Sequence, residues 1–301
     1  MSNDRKALLF GLGAILLWST AATALKLALR YLDVYQLLFY AVVSSSAVLF
    51  AIVVWQGKWP VLVDYVRSSP LHFLGMGLIN PVLFYLILLR AYDLLPAQQA
   101  QTINYTWAIT LAVLAVPLMG QALSRRDLLA IVLGYSGVVI IATQGQLLEM
   151  QFTNVEGVFF ALASTVVWAL YWIANARNHR DPIVSLSLNF AMAIPVAFCV
   201  CALLSELRPA AWEGLAAAVY VGLFEMGVSF ALWSAALRLA SGVSRVGNLI
   251  FLSPLISMVF IANILGEAIH PATLVGLALI IPGVLIQQSQ GPKPEPAQSR
   301  G

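Results

Sequence analysis

Glu225 carries the sharpest chemistry in this 301-residue chain. It stands near the centre of a long apolar run, 212–235, and it is the only acid so placed in any such run. A carboxylate far from water is costly and normally faces an internal cavity or a partner. Two functions suit it: contact with a cationic group of a small molecule, or binding and release of a proton. A structural hydrogen bond, or an ion pair with Arg245, would satisfy it equally. Asn80 holds the matching place in an earlier run. Arg245, which matches Gln101, has the planar fork that grips a carboxylate, but a basic residue near the end of a run also serves as an interfacial anchor. Asn104 and Asn248 occupy equivalent positions, and amides in apolar helices bridge neighbours as readily as they bind ligands. Pro254 lies inside a run, where a missing N–H bends a helix. It is a candidate hinge, with static packing as the alternative.

These residues point to binding rather than covalent catalysis. The chain has no HExxH, P-loop or GxGxxG motif, so nothing in it points to nucleotide-driven work. Gly134-Tyr135-Ser136-Gly137 is one residue short of a nucleophile elbow. The polar groups inside apolar runs stand singly, so no enzyme activity, metal or cofactor is expected. Cys199 and Cys201, two apart in one run, point to different faces of a helix and read as small apolar fillers.

Composition fixes the setting of these residues. The chain is 61% hydrophobic and only 10% charged, against roughly 25% charged in a soluble domain. It cannot cover a globular surface with polar groups, so its solvent is lipid. Net charge is +3, too small and too dispersed for a nucleic-acid partner. The apolar runs fall at about 7–27, 35–55, 71–91, 97–118, 127–144, 154–174, 183–204, 212–235, 242–264 and 271–288, each near the length of roughly 20 residues that spans a bilayer. Arg5-Lys6, an apolar run and Ala22-Thr23-Ala24 imitate a cleavable signal. The run is nonetheless long enough to span, so retention is expected. The tail 290–301 is polar and proline-rich and is expected to be disordered. With the N-terminus in the cytoplasm, four of the 16 Lys and Arg residues fall outside, Lys26, Arg30, Arg90 and Arg208. The rest fall inside, which favours both termini cytoplasmic.

The runs also repeat. Gly77-Leu78-Ile79-Asn80 matches Gly222-Leu223-Phe224-Glu225, Gly120-Gln121 matches Gly266-Glu267, and Trp18 matches Trp168. Residues 1–144 and 145–289 then form two halves of five spans each. Five is odd, so the second copy must be inverted relative to the first, a signature of many secondary transporters. The expected fold is an all-α membrane protein, ten transmembrane helices in a 5+5 inverted-repeat bundle.

Ser253-Pro254-Leu255, Leu265-Gly266-Glu267, Gly276 and Pro282-Gly283-Val284 resemble the second EamA repeat of the drug/metabolite transporter superfamily. The first half is looser, with Gln121 where the glutamate usually stands. The resemblance covers about residues 7–287. Asn104-Tyr105-Thr106-Trp107, opening the fourth span, and Trp168 in the sixth are further similar to bacterial exporters of aromatic amino acids. The resemblance implies a cavity lined by the first, third, fourth, sixth, eighth and ninth spans. It implies a multi-pass protein of the bacterial inner membrane that exports an aromatic amino acid or related small metabolite. Other amino acids, purines or cationic drugs are the alternative cargo. An aromatic cargo needs ring faces, and Trp18, Tyr85, Tyr105, Trp107, Trp168 and Trp172 fall on the implied lining spans. Interfacial belts and core packing also use tryptophan; Trp55, Trp59 and Trp212, near span ends, belong to the belt. The small exporters of the superfamily use a carboxylate in their first helix, and none lies between Ala7 and Leu25 here.

Overall fold

The computed structural model describes residues 2–120, 124–147, 154–176, 178, 180–209, 211–240 and 248–288. Every regular element among them is helical. In chain order they are α1 (Asn3–Leu29), α2 (Val34–Trp55), α3 (Trp59–Ser68), α4 (Pro70–Leu94), α5 (Ala97–Met119) and α6 (Arg125–Ala142). Then follow α7 (Val155–Ala176), α8 (Pro182–Leu204), α9 (Trp212–Leu239), α10 (Leu249–Leu265) and α11 (Pro271–Gln288). Among the described residues α1, α2, α4, α5, α7, α8 and α9 are long and apolar enough to cross a bilayer. Helix α6 adds three charges, Arg125, Arg126 and Asp127, to an otherwise apolar length, and α10 and α11 are shorter apolar helices. The chain is an all-helical, multi-pass membrane protein.

Local chemistry sets the ends of these helices. Asp33 and Gln36 form a capping box on α2. Asp181 caps α8 by accepting from the Ile183 and Val184 amides at 3.0 and 3.1 Å, with Pro182 as the first helical residue. Gly120 and Gly266 end α5 and α10 at φ +66° and +70°, the left-handed stop that glycine adopts without strain. The matched positions of these two glycines in the repeat are therefore matched helix exits. One expectation needs correction, and one link adds a helix. The link between the second and third apolar runs holds a helix of its own, Trp59–Ser68, which is α3. The Asn104–Trp107 motif does not open a span; it interrupts α5, whose first turns begin at Ala97.

The chain divides into two compact units, Met1–Asp93 with His179–Ala268, and Leu94–Asn178 with Ile269–Gly301. Each draws helices from both sequence halves.

In the first unit α2 and α8 run antiparallel. At one end Gln36 Nε2 on α2 donates to the Glu206 and Arg208 carbonyls beyond α8, at 2.8 and 3.2 Å. At the other end Lys58 Nζ, just past α2, meets Asp181 Oδ2 at 2.6 Å. Val53, Leu62, Phe73, Ile183, Val184 and Leu188 form a buried cluster near that second end. Glycine allows the tightest crossings. A Cβ on Gly77 of α4 would strike the Asn189 carbonyl of α8, and one on Gly222 of α9 would strike the Ala41 carbonyl of α2. The Ser44-Ser45-Ser46 patch of α2 is where Gly222 and Gly227 of α9 approach. Small residues admit backbones this closely in lipid, where packing rather than water expulsion drives association.

In the second unit α6 and α11 pair. Gly137 meets Gly276 and Ile280, while Gly283 meets Ala130. Rising numbers on one helix meet falling numbers on the other, so this pair is antiparallel too.

Candidate functional site

Glu225 sits in a π-helical stretch of α9, Val221–Val228. Such wide turns re-aim side chains and are frequent at functional sites. The phenol of Tyr85, on α4, donates to both Glu225 carboxylate oxygens at 3.1 and 2.9 Å. Tyr85 is only 1% exposed, so the carboxylate it holds is drawn into the unit. Among the described residues no Lys, Arg or His pairs with Glu225. Trp18 of α1 donates Nε1 to the Glu225 carbonyl at 3.2 Å. Its ring meets Phe230 edge-on at 5.3 Å and Trp233 at 5.5 Å. Thr20 and Tyr220 share a hydroxyl hydrogen bond of 2.8 Å one turn away. The result is a carboxylate with a neutral donor, flanked by aromatic rings, deep in a span. An organic cation would find both opposite charge and π-faces there.

Asn80 occupies the matching stretch of α4, Leu78–Leu83. Pro81 explains its backbone: the residue before proline is pushed out of the helical region, and Asn80 has φ −141° and ψ 113°. The Asn80–Pro81 peptide is cis. Asn80 is buried, and its Oδ1 has no hydrogen-bond partner among the described residues.

The second unit gathers the other aromatic residues. Trp168, Tyr171 and Trp172 share one face of α7 by their spacing of three and four. Trp172 stacks on Trp107 of α5 with centroids 6.2 Å apart and planes at 16°. Trp168 meets Trp172 edge-on at 6.0 Å and stacks on Tyr171 at 5.4 Å. Asn104 Nδ2 donates to Ser164 Oγ at 2.8 Å, the helix-bridging use open to it. Thr110 bridges Thr165 and Tyr135 at 2.9 Å each. Tyr105 lies, half-buried, at the interruption of α5.

The expected residues thus fall into two groups. Trp18, Asn80, Tyr85 and Glu225 belong to the first unit, and Asn104, Tyr105, Trp107, Trp168 and Trp172 to the second. Arg245 and the Asn248 side chain lie outside the described residues, as do Gln121 and the tail from 290. Pro254 is buried in the first turns of α10, directly after the 3-10 turn Asn248–Phe251. Phe230, Trp233 and the Thr20–Tyr220 pair were missed. Phe230 had a signal: it is five residues after Glu225, as Tyr85 is after Asn80.

Outside the spans, Asp181 anchors a polar cluster. Lys58 Nζ sits at 2.6 Å and Arg238 Nη1 at 3.9 Å from its Oδ2, and its amide donates to Tyr65 OH at 3.1 Å. Burial pushes this carboxyl up, but the Lys58 ammonium and the Val184 and Ile183 amides outweigh burial and hold it below its ordinary value.

The sequence profile of the EamA-like transporter family matches residues 5–143 and again 155–287. The chain belongs to that family. The family match covers both halves, and two relatives match over nearly the full length. An uncharacterized transporter of Archaeoglobus fulgidus is 26% identical over 288 residues, covering 94% of this chain and 97% of the relative. The aromatic amino acid exporter YddG of Ancylobacter novellus is 26% identical over 293 residues, covering 93% and 96%. A crystal structure superposes with TM-score 0.66 at 22% identity, covering 94% of this chain and 97% of the other, a likeness of fold. EamA-like proteins are transporters, so the chain is read as a carrier of small molecules rather than an enzyme.

Proposed function

We propose that this EamA-like protein is a secondary transporter that exports aromatic amino acids or related small metabolites across the bacterial inner membrane by alternating access. Its ten spans form a 5+5 inverted repeat divided at about residue 144, with both termini cytoplasmic. Two antiparallel pairings support the inversion. Helices α2 and α8 hold equivalent places in the two halves, and so do α6 and α11. The contacts of Gly137 with Gly276 and of Gly283 with Ala130 are each other's images under that equivalence.

The observation that carries the cargo reading is the Glu225 carboxylate, held by Tyr85 and left without a cationic partner among the described residues. It would receive the ammonium group of the cargo. Trp18 beside it would offer a ring face in the first unit; within the second unit by itself, Trp107, Trp168 and Trp172 would form a separate aromatic surface for cargo. Aromatic pairs add about 0.5–1.5 kcal/mol beyond area burial, enough to select a class of cargo without trapping it. Asn80, Asn104 and Tyr105 would contribute polar contacts, and Pro254 a hinge.

Cells overproducing the protein should extrude phenylalanine and tryptophan and tolerate their toxic analogues. Trp107→Ala or Trp168→Ala should weaken this while the protein remains in the membrane; unchanged efflux in both would remove the ring contacts. The same lone carboxylate favours a second reading, export of organic cations. A cargo panel in proteoliposomes decides, because a cation without a carboxylate should then outcompete phenylalanine.

A further inference from the structure

Buried hydroxyl groups line the contact between α1 and α10, two helices of the first unit. Ser19 Oγ donates to the Ile15 carbonyl at 2.7 Å and lies 3.4 Å from Ser253 Oγ on α10. Further along, Arg30 Nη2 reaches the Leu265 carbonyl at 3.5 Å. Residue numbers rise together on the two helices, so they run parallel. Thr23 stands one turn past Ser19, and Ser257 one turn past Ser253, each on the face of its predecessor. The parallel course brings Thr23 and Ser257 to one level of the seam.

This second level uses its hydroxyls differently from the first. In an apolar helix a serine or threonine commonly donates to a carbonyl of its own preceding turn, as Ser19, Ser44, Thr102 and Thr143 do. Thr23 Oγ1 and Ser257 Oγ make no hydrogen bond among the described residues, although Thr23 is 3% exposed and Ser257 0%. Turned from their own backbones and not joined to each other, the two oxygens point into the seam. A buried hydroxyl so placed is costly unless a polar or charged body meets it.

The backbone of α10 is irregular on both sides of this level. The 3-10 turn Asn248–Phe251 comes before it and the π-helical stretch Ile261–Leu265 after it. Pro254 has no N–H to give the Ile250 carbonyl, one turn back. In secondary transporters, interrupted helices of this kind present backbone carbonyls to cations. The seam therefore offers neutral oxygens, the ligands that hard cations take. A divalent ion would call for carboxylates to balance it, and the described residues hold no cluster of His, Cys, Asp and Glu suited to one. A singly charged ion asks for less. The close approach of Ser19 and Ser253 suits sodium better than the larger potassium. The next charges along α1, Lys26 and Arg30, share their surroundings with Asp93 and Glu267, so the seam adjoins a balanced group rather than a bare cation. A site of neutral oxygens has no acid or histidine signature, which is why the sequence did not announce it.

We infer that the seam between α1 and α10 is a sodium site, with Thr23 and Ser257 as ligands and Ser19 and Ser253 beside them. Bound sodium would clamp α1 against α10. Trp18, next to Ser19, donates to the Glu225 carbonyl, so the clamp would also steady the helix that braces Glu225. Under the exporter reading sodium is then a coupling ion; the binding itself does not depend on that reading.

The test uses the full-length protein in uncharged detergent without cargo, with sodium replacing potassium at constant ionic strength. The thermal midpoint of the wild type should rise with sodium concentration, and the sodium NMR signal should broaden. Thr23→Val/Ser257→Ala, which removes both hydroxyls at little change of shape, should weaken sodium binding by about tenfold or more, the scale of a lost contact to a charged group. The two single variants are measured beside it, so a double variant that fails to fold leaves the result readable. Thr23→Ser, which keeps a hydroxyl, should bind as the wild type does. Ser45→Ala, which removes another buried unpaired hydroxyl, on α2, should also leave the response intact. Equal behaviour of the wild type in sodium and potassium would overturn the proposal, and so would an unchanged sodium response in the folded Thr23→Val and Ser257→Ala proteins. Sodium binding with no phenylalanine counterflow under any salt would overturn the exporter reading and leave the site standing.

Discussion

The two π-helical stretches, Leu78–Leu83 in α4 and Val221–Val228 in α9, hold matching places in the two halves yet treat their polar residue in opposite ways. Each polar residue stands three positions after a glycine whose missing side chain admits a carbonyl of a neighbouring helix, Asn189 for Gly77 and Ala41 for Gly222. At Asn80 the helix is broken before Pro81, and the buried amide oxygen lacks a partner among the described residues. At Glu225 the helix continues through the wide turn and both carboxylate oxygens are met by Tyr85. The partner comes from the other stretch's helix, five residues past Asn80, whereas its counterpart five past Glu225 is the hydroxyl-free Phe230. The frame has been kept in both copies while the chemistry has been concentrated in one. Under the proposed inverted repeat, the two stretches would share their packing and differ in their polar chemistry.

The glycines test the shared frame. Gly77→Leu and Gly222→Leu should each cost about 3 kcal/mol or more, because a backbone carbonyl cannot yield as a side chain does. Thermal stability followed by size-exclusion chromatography measures this. Tolerance of either variant would break the likeness between the two stretches. The polar residues test the divergence. Glu225→Ala should lower phenylalanine efflux by about tenfold or more, the scale of a lost hydrogen bond to a charged group. Asn80→Ala should change efflux by less and leave stability unchanged or slightly raised, since it removes an unpaired buried group. Equal losses at the two sites would erase the asymmetry. Tyr85→Phe should fall between them, as it strips the carboxylate of its donor but leaves the charge.

Much of this was legible in the sequence. Apolar run lengths located the seven described helices long and apolar enough to cross a bilayer, because lipid demands long helices. Gly120 and Gly266 end their helices at positive φ, and Pro271 opens α11, by backbone chemistry that is local to the sequence. The spacing of Trp168 and Trp172 gave their common face. What the sequence concealed depends on contacts between distant segments. Nothing local says that Tyr85 reaches Glu225, 140 positions away, or that Asn104 turns to Ser164. Nor does apolar periodicity show α5 breaking at Tyr105, because the residues on both sides continue the same run. The grouping of helices into compact units that mix the halves was equally hidden, since sequence order favours neighbours along the chain.

The smallest expected effect lies outside the spans. Asp181 is held below its ordinary value by Lys58 and the α8 amides, so its folded form binds a proton less readily than the unfolded chain. Its stabilising contribution is present above about pH 4, where the unfolded carboxylate ionises, and is lost as pH falls through the lower folded value. Thermal melts between pH 5 and 3 should therefore show a loss in the wild type that is reduced in Asp181→Asn. Identical pH profiles would remove Asp181 from the account, though not the contrast between α4 and α9.

The most direct test of the central claim is counterflow of labelled phenylalanine into liposomes that contain only this protein. The wild type, loaded with unlabelled phenylalanine, should accumulate label transiently, and Glu225→Gln, equally folded and equally reconstituted, should accumulate at least tenfold less. Equal counterflow in the two would show that the carboxylate beside Tyr85 takes no part in handling cargo. No counterflow in the wild type would contradict the assignment of an aromatic amino acid as the molecule carried.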